Sequence, residues 1–122
     1  MRTLIPSKAG VYIISRIEES NRPLYIGSSG KIARGLVVSG SSIRSRLFAA
    51  STPYKFEEDV FRFGPTTAGV PPDGYTNAVS LKDLQILCFV VTAPKIPAVW
   101  EHLLIQGFIN EFGDLPIANQ KI

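Results

Sequence analysis

Near the start of the chain lie Val11-Tyr12-Ile13-Ile14-Ser15 and Leu24-Tyr25-Ile26-Gly27, two short segments rich in β-branched and aromatic residues. The residues between them are mostly polar and include a proline, which suits a turn. This combination predicts an antiparallel β-hairpin.

The alternation of side chains along a strand distributes these residues over two faces. It places Tyr12 and Tyr25 together on one face of the hairpin, so that two phenols stand side by side. The opposite face is expected to collect the aliphatic residues Val11, Ile13, Leu24 and Ile26.

The composition favours one compact domain spanning residues 1–122. Of the 122 residues, 45% are hydrophobic and 19% charged, which is enough apolar material for a core and unlike a disordered chain. Cys88 is the single cysteine, so no intramolecular disulfide forms, and no Cys/His cluster has zinc-ligand spacing. No apolar run is long enough for a membrane helix and no secretory signal is present, so we expect a cytoplasmic protein without membrane contact.

Charge is distributed unevenly along the chain. Residues 1–50 contain eight Lys/Arg and two Glu, whereas residues 51–122 contain five Lys/Arg and eight Asp/Glu. The first part therefore has a net charge of +6 and the second part −3. The basic part is suited to a polyanionic partner, although basicity alone does not establish one.

Two segments are predicted to be insertions between regular elements. Residues 28–42 are rich in Gly and Ser and predict a loop with at most a short strand. Ser41 or Ser42 then provides an N-cap for a short helix over residues 43–50. Residues 52–77 contain aromatic residues followed by several prolines, which predicts a segment with limited regular structure.

The C-terminal part predicts one strand and one helix. Every residue from 84 to 91 except Gln85 is apolar, so both faces of a strand formed there would be apolar. This pattern predicts a central strand covered on both faces. Pro97 suits the first position of a helix and Gly113 its end. The helix is so apolar that we expect most of it to be buried. Glu101 within it is then costly unless a metal or an arginine lies beside it.

These landmarks occur in the order of one known family. Gly10-Val11-Tyr12 and Tyr25-Ile26-Gly27 are followed by Arg46-Leu47, then Glu101 on a later helix and Asn119 near the end. Over the span from Gly10 to Asn119 the chain resembles the GIY-YIG nucleases. The resemblance implies a small α/β domain with a mixed three-stranded sheet flanked by helices. It also implies cleavage of DNA phosphodiester bonds with one divalent metal ion.

The resemblance also implies a role for each of five catalytic residues. Tyr12 corresponds to the general base, and Tyr25 to the tyrosine that holds the water or the scissile phosphate. Arg46 corresponds to the phosphate clamp and Glu101 to the ligand of Mg²⁺ or Mn²⁺. Asn119 corresponds to the asparagine that braces the site from a loop.

Several positions leave alternatives open. Arg44 competes with Arg46 for the phosphate clamp, and Asn110 competes with Asn119 for the brace. Members of the family often carry a histidine where this chain has Ala50, and the single histidine, His102, is expected to be structural or exposed.

Two further basic residues lie in the first insertion. Lys31 and Arg34 either reach DNA phosphates or are solvated side chains of the loop.

The sequence leaves three interpretations, two of which assume the family resemblance and one of which does not. The first is a metal-dependent endonuclease acting on DNA, which leaves open RNA as a substrate and either a homodimer or a separate partner that supplies specificity. The second is a catalytically inactive module that keeps the fold and binds nucleic acid or a protein. The third is an unrelated small α/β domain, in which the motif residues would be scattered.

Overall fold

The computed structural model describes residues 5–33, 36–38, 42–49, 52, 54–63, 77–92 and 94–119. Within these residues the chain is a small α+β protein in which every described strand pairing is antiparallel. Its elements in chain order are β1 Gly10–Arg16, β2 Tyr25–Ser29, β3 Lys31–Ala33, β4 Leu36–Val38, α1 Ile43–Leu47, β5 Lys55–Glu57, β6 Val60–Phe63, β7 Asn77–Ser80, β8 Leu84–Val90 and α2 Pro97–Phe112.

The predicted hairpin is present as β1 and β2. Tyr12 lies opposite Gly27 and Ile14 opposite Tyr25, which confirms both the antiparallel pairing and the common face of the two tyrosines. Leu24 precedes β2 and packs in the same cluster as the tyrosines, so its predicted place on the other face is wrong. The side chain of a residue outside the ladder does not follow the alternation of the strand.

The first sheet contains three strands in the order β2-β1-β8. Gly10 faces Val90 and Arg16 faces Leu84, so β8 runs antiparallel to β1 and the expectation of a mixed sheet is wrong. β1 takes the centre, and β8 is an edge strand among the described residues, contrary to the prediction of a central strand. Leu87 and Phe89 on β8 are exposed, because little of the described chain covers this strand.

Helix α2 covers the side of the sheet opposite the tyrosines. Ile105 and Phe108 pack against Val11 and Ile26 of β1 and β2. The helix begins at Pro97 and is followed by Gly113 in the left-handed conformation (φ 82°), as predicted. The expectation that most of it is buried is wrong. Only one face of α2 packs against the sheet. The remaining surface of the helix carries the exposed residues Val99, Trp100, Leu103 and Leu104.

The tyrosine face is covered by α1 and by a second sheet, with strand order β5-β6-β7. The side chain of Ser42 accepts a hydrogen bond from the backbone of Ser45 and caps α1. The helix ends at Leu47, short of its predicted end at Ala50, which lies outside the described residues. The resulting core contains Tyr12, Ile14, Tyr25, Ile43, Leu47, Tyr54, Phe61, Phe63 and Val79, among others.

Both predicted insertions contain regular structure. In the first, β3 and β4 pair with Lys31 opposite Val38. The second was expected to have little regular structure, but it supplies β5 and β6, because Phe61 and Phe63 alternate inward onto the core. Residues 64–76 lie outside the described part of the chain. No helix among the described residues has the length and apolar character to span a membrane.

Candidate functional site

Three tyrosines form the centre of the candidate site. The rings of Tyr12 and Tyr25 lie 5.9 Å apart between centroids, and Tyr54 from the second insertion packs edge-on against Tyr25 at 4.9 Å. Tyr12 is fully buried, whereas Tyr25 keeps 8% of its surface exposed. The hydroxyl oxygens of Tyr12 and Tyr54 lie 3.3 Å apart. Of the two motif tyrosines, Tyr25 is the one with a small exposed surface.

The two motif glycines are required by close packing. A Cβ on Gly27 would lie 2.6 Å from Cζ and 2.7 Å from Oη of Tyr12. A Cβ on Gly10 would lie 2.1 Å from the carbonyl oxygen of Phe89 on the neighbouring strand. Gly27 therefore leaves room for the Tyr12 ring beside β2, and Gly10 lets β1 and β8 pair beside α1.

The two arginines of α1 have different surroundings. Nε of Arg44 donates a hydrogen bond of 2.8 Å to the carbonyl oxygen of Ile5, which ties the beginning of the described chain to the helix. Arg46 instead lowers the pKa of both Tyr25 and Tyr54 by its positive charge. Arg46 is therefore the arginine that faces the tyrosines.

Glu101 reaches the same tyrosine from α2. Burial raises the pKa of Tyr25 most, and the negative charge of Glu101 raises it further. The Glu101 side chain is 20% exposed, so its burial is not complete. Its oxygen Oε2 lies 3.8 Å from Nε2 of His102, whose side chain is exposed. Arg46 and Glu101 thus act on the pKa of Tyr25 with opposite signs from separate helices.

Asn119 braces β2 next to Tyr25. Its Oδ1 accepts a hydrogen bond of 3.0 Å from the backbone N–H of Ile26, and its Nδ2 donates one of 2.9 Å to the carbonyl oxygen of the same residue. The backbone N–H of Ala118 donates to the carbonyl oxygen of Leu24. The loop therefore pairs with the outer edge of β2 as another strand would. The competing Asn110 lies on the exposed surface of α2, where its Oδ1 accepts from Gln106.

Replacing Asn119 with Ala is expected to lower the free energy of unfolding by about 1–3 kcal/mol, because it leaves two backbone groups of the buried Ile26 without partners. Urea denaturation measures this loss. Asn110→Ala is the matched control and should change stability by less than about 0.5 kcal/mol, since its hydrogen bond is exposed. Equal stability of the two variants would contradict the bracing role.

Burial keeps the tyrosines protonated. Desolvation raises the pKa of Tyr12 and of Tyr54 well above the usual value, and the neighbouring tyrosines raise that of Tyr12 further. Desolvation also raises the pKa of Tyr25, while the hydrogen bond from Tyr12 lowers it. At neutral pH these residues are phenols that can donate hydrogen bonds.

The raised pKa values predict a loss of stability in alkaline solution. Below pH 10 both the folded and the unfolded tyrosines are neutral, so their contribution is fully present. Above pH 10 the unfolded tyrosines ionise while Tyr12 and Tyr54 stay protonated in the folded chain, so the folded state binds more protons. The free energy of unfolding should then fall by about 1.4 kcal/mol per pH unit for each of them.

Urea denaturation between pH 9 and pH 12 measures this slope. A variant carrying both Tyr12→Phe and Tyr54→Phe has two fewer such groups and should show a shallower slope. Lysines titrate alike in both proteins. The same slope in the two proteins would show that these hydroxyls do not stay protonated in the folded chain.

Tyr54 is the site residue that sequence reasoning missed. Its hydroxyl donates a hydrogen bond of 2.8 Å to the carbonyl oxygen of Leu47, and its Oη lies 3.3 Å from that of Tyr12. The only available signal was a cluster of aromatic residues in the second insertion. Nothing local in the sequence indicates that one of them contacts both the hairpin and α1.

The other positions considered in the sequence contribute less. Ala50 and Arg34 lie outside the described residues, as does the side chain of Lys31. His102 is exposed, one of the two alternatives considered for it. Within the described ranges no three His, Cys, Asp or Glu side chains gather closely enough to hold a metal ion.

The described geometry brings Tyr12, Tyr25, Arg46 and Glu101 into one region and adds Asn119 on the adjacent backbone. Comparisons of the chain with known protein families, with curated proteins and with solved structures find no match.

Proposed function

We propose that this chain is a metal-dependent nuclease of the GIY-YIG type, which hydrolyses DNA phosphodiester bonds. One observation carries the proposal: Tyr25 packs beside Tyr12, and the charges of both Arg46 and Glu101, which come from different helices, act on its phenol. Hydrolysis joins a water oxygen to phosphorus, breaks a P–O bond to the sugar and moves a proton from the water towards the leaving oxygen. Positive charge, a metal ligand and a hydrogen-bond donor are what this reaction requires.

Arg46 supplies the positive charge. A planar guanidinium can donate two hydrogen bonds to two phosphate oxygens, and this interaction strengthens as negative charge develops in the transition state. Its location at the end of α1, next to Leu47 in the buried core, supports a fixed position for the base of the side chain.

Glu101 is the residue that would hold a divalent ion. Its carboxylate is a hard oxygen donor, partly open to solvent and close to Tyr25. A single carboxylate, with phosphate oxygens and water as the other ligands, fits Mg²⁺ or Mn²⁺. When bound, the ion supplies positive charge that stabilises the negative charge developing on the phosphate.

The tyrosines are assigned roles as neutral donors. Tyr25 keeps its proton at neutral pH and can donate a hydrogen bond to the attacking water or to a phosphate oxygen. The full burial of Tyr12 raises its pKa, which counts against a phenolate acting as general base. We therefore assign Tyr12 the role of a neutral phenol that packs beside Tyr25 and is held by the Tyr54 hydroxyl.

A second candidate function is a catalytically inactive module that binds nucleic acid through its basic first half. The observation that favours it is the same burial of Tyr12, because a phenol whose pKa is raised by burial stays protonated and cannot take a proton from the attacking water. In this alternative Arg46 contacts phosphate without promoting cleavage.

Nicking of supercoiled plasmid separates the two functions. We expect the wild-type protein to convert the plasmid to the open circular form in Mg²⁺ or Mn²⁺ and to stop when EDTA is added. Binding measured in EDTA should weaken steeply with salt, because Lys and Arg contacts to phosphate release counterions. Binding without cleavage in either metal would favour the inactive module. A flat salt dependence would count against a nucleic-acid partner altogether.

A further inference from the structure

Tyr54 connects three parts of the candidate site that are separate in sequence. Its hydroxyl donates to the carbonyl oxygen of Leu47, at the end of α1, and lies 3.3 Å from the hydroxyl of Tyr12 on β1. Its ring packs edge-on against the ring of Tyr25 on β2. The first helix, the central strand and the edge strand of the hairpin therefore all contact one side chain.

The placement of Tyr54 is itself rigid. The hydroxyl of Thr52 lies within hydrogen-bond distance of the carbonyl oxygens of Ala49 and Tyr54, which fixes the backbone just before β5. On its other side the Tyr54 ring packs against Phe56 and Phe61 of the second sheet. Tyr54 is almost fully buried, so it does not itself reach a substrate.

We propose that Tyr54 is a positioning residue, an inference that rests on the nuclease function proposed above: its hydroxyl ties Tyr12 to the end of α1, and its ring fixes Tyr25. Arg46 immediately precedes Leu47, whose carbonyl oxygen accepts the hydrogen bond from Tyr54. The hydroxyl of Tyr54 thus holds Tyr12 against the end of α1 next to Arg46, and its ring holds Tyr25 beside them. The second insertion contributes this residue, and with it a part of the site that neither tripeptide motif contains.

The test variant is Tyr54→Phe, which keeps the ring contacts and removes only the hydroxyl. Under single-turnover conditions in Mg²⁺, we expect plasmid nicking to slow by at least about tenfold, because small displacements of positioned groups slow a reaction strongly. Plasmid affinity measured in EDTA should stay unchanged. Val79→Ala in the second sheet is the control, since it destabilises the same core without touching the hydroxyl and should keep the wild-type rate.

A double-variant cycle distinguishes positioning from a general loss of structure. If Tyr54 acts by holding Arg46 and the tyrosines, Tyr54→Phe should slow the Arg46→Ala protein much less than it slows the wild type. If the double variant instead slows nicking by the product of the two single fold-changes, the two residues act independently and the positioning role is overturned. If Tyr54→Phe does not fold, Thr52→Val replaces it, and a wild-type rate in that variant would overturn the proposal.

The outcomes for the two proposals are separable. A wild-type protein that nicks plasmid, together with a Tyr54→Phe protein that nicks equally fast, overturns only the role of Tyr54. A wild-type protein that binds plasmid and never cleaves it overturns the nuclease function and the positioning role that rests on it.

Discussion

Glu101→Gln is expected to slow metal-dependent nicking by at least about 100-fold, which corresponds to about 2.7 kcal/mol of transition-state stabilisation. The substitution keeps the shape of the side chain and removes its charge, so a divalent cation loses its protein ligand. DNA affinity should change little, because Lys and Arg contacts to phosphate dominate binding. Single-turnover nicking of supercoiled plasmid, with binding measured separately in EDTA, checks both parts.

Glu111→Gln is the matched control for this variant. Glu111 lies on the same helix, is exposed and should be replaceable without effect on cleavage. An independent readout is the pKa of Tyr25, which Glu101 raises, so the substitution should lower it in an NMR titration of labelled tyrosine. A Glu101→Gln protein that nicks at the wild-type rate would remove Glu101 from the site.

Gly10→Ala is expected to lower the free energy of unfolding by more than about 3 kcal/mol, at or beyond the upper end of what overpacking a core usually costs. The new Cβ would lie 2.1 Å from the backbone carbonyl oxygen of Phe89 and 2.8 Å from Cδ1 of Ile43. A backbone atom of a paired strand cannot move aside as a flexible side chain can. The variant must therefore separate β1 from β8, and the loss is measured by urea or thermal denaturation.

Gly107→Ala also replaces a glycine with alanine, but this substitution is expected to raise the free energy of unfolding. Gly107 lies inside α2, and apart from its chain neighbours and the adjacent helix backbone no atom of the described residues lies within 4 Å of the position of an added Cβ. Alanine there should raise the free energy of unfolding by about 0.5–1 kcal/mol, because glycine is a poor helix former. Equal effects of the two substitutions would show that the predicted collision at Gly10 does not exist.

The two motifs are more informative about packing than their length suggests. The glycine of each tripeptide provides the space that its neighbours occupy: Gly27 for the ring of Tyr12 and Gly10 for the carbonyl of Phe89. A pattern of three residues thus indicates a close approach between strands. It does not indicate which additional side chain, here Tyr54, completes the cluster around them.

The candidate site could be predicted from the sequence only as far as the order of the motif residues goes. The sequence favoured Arg46 over Arg44 as the arginine of the site, but which of them faces the tyrosines depends on the orientation of a short helix. The structure separates them because Arg44 binds the carbonyl of Ile5, while Arg46 acts on Tyr25. In the same way, Asn119 is separated from Asn110 by its contact with the edge of β2.

The amino-acid sequence alone determined the hairpin, the common face of Tyr12 and Tyr25, a serine cap before α1 and the limits of the last helix. These features depend on interactions between residues close together in the chain, such as side-chain alternation, capping and turn formation. Only the tertiary structure decided that β1 and not β8 lies at the centre, and that much of α2 is exposed. Hydropathy reports what a side chain prefers, whereas burial depends on which distant segment packs against it, and that is set by long-range pairing.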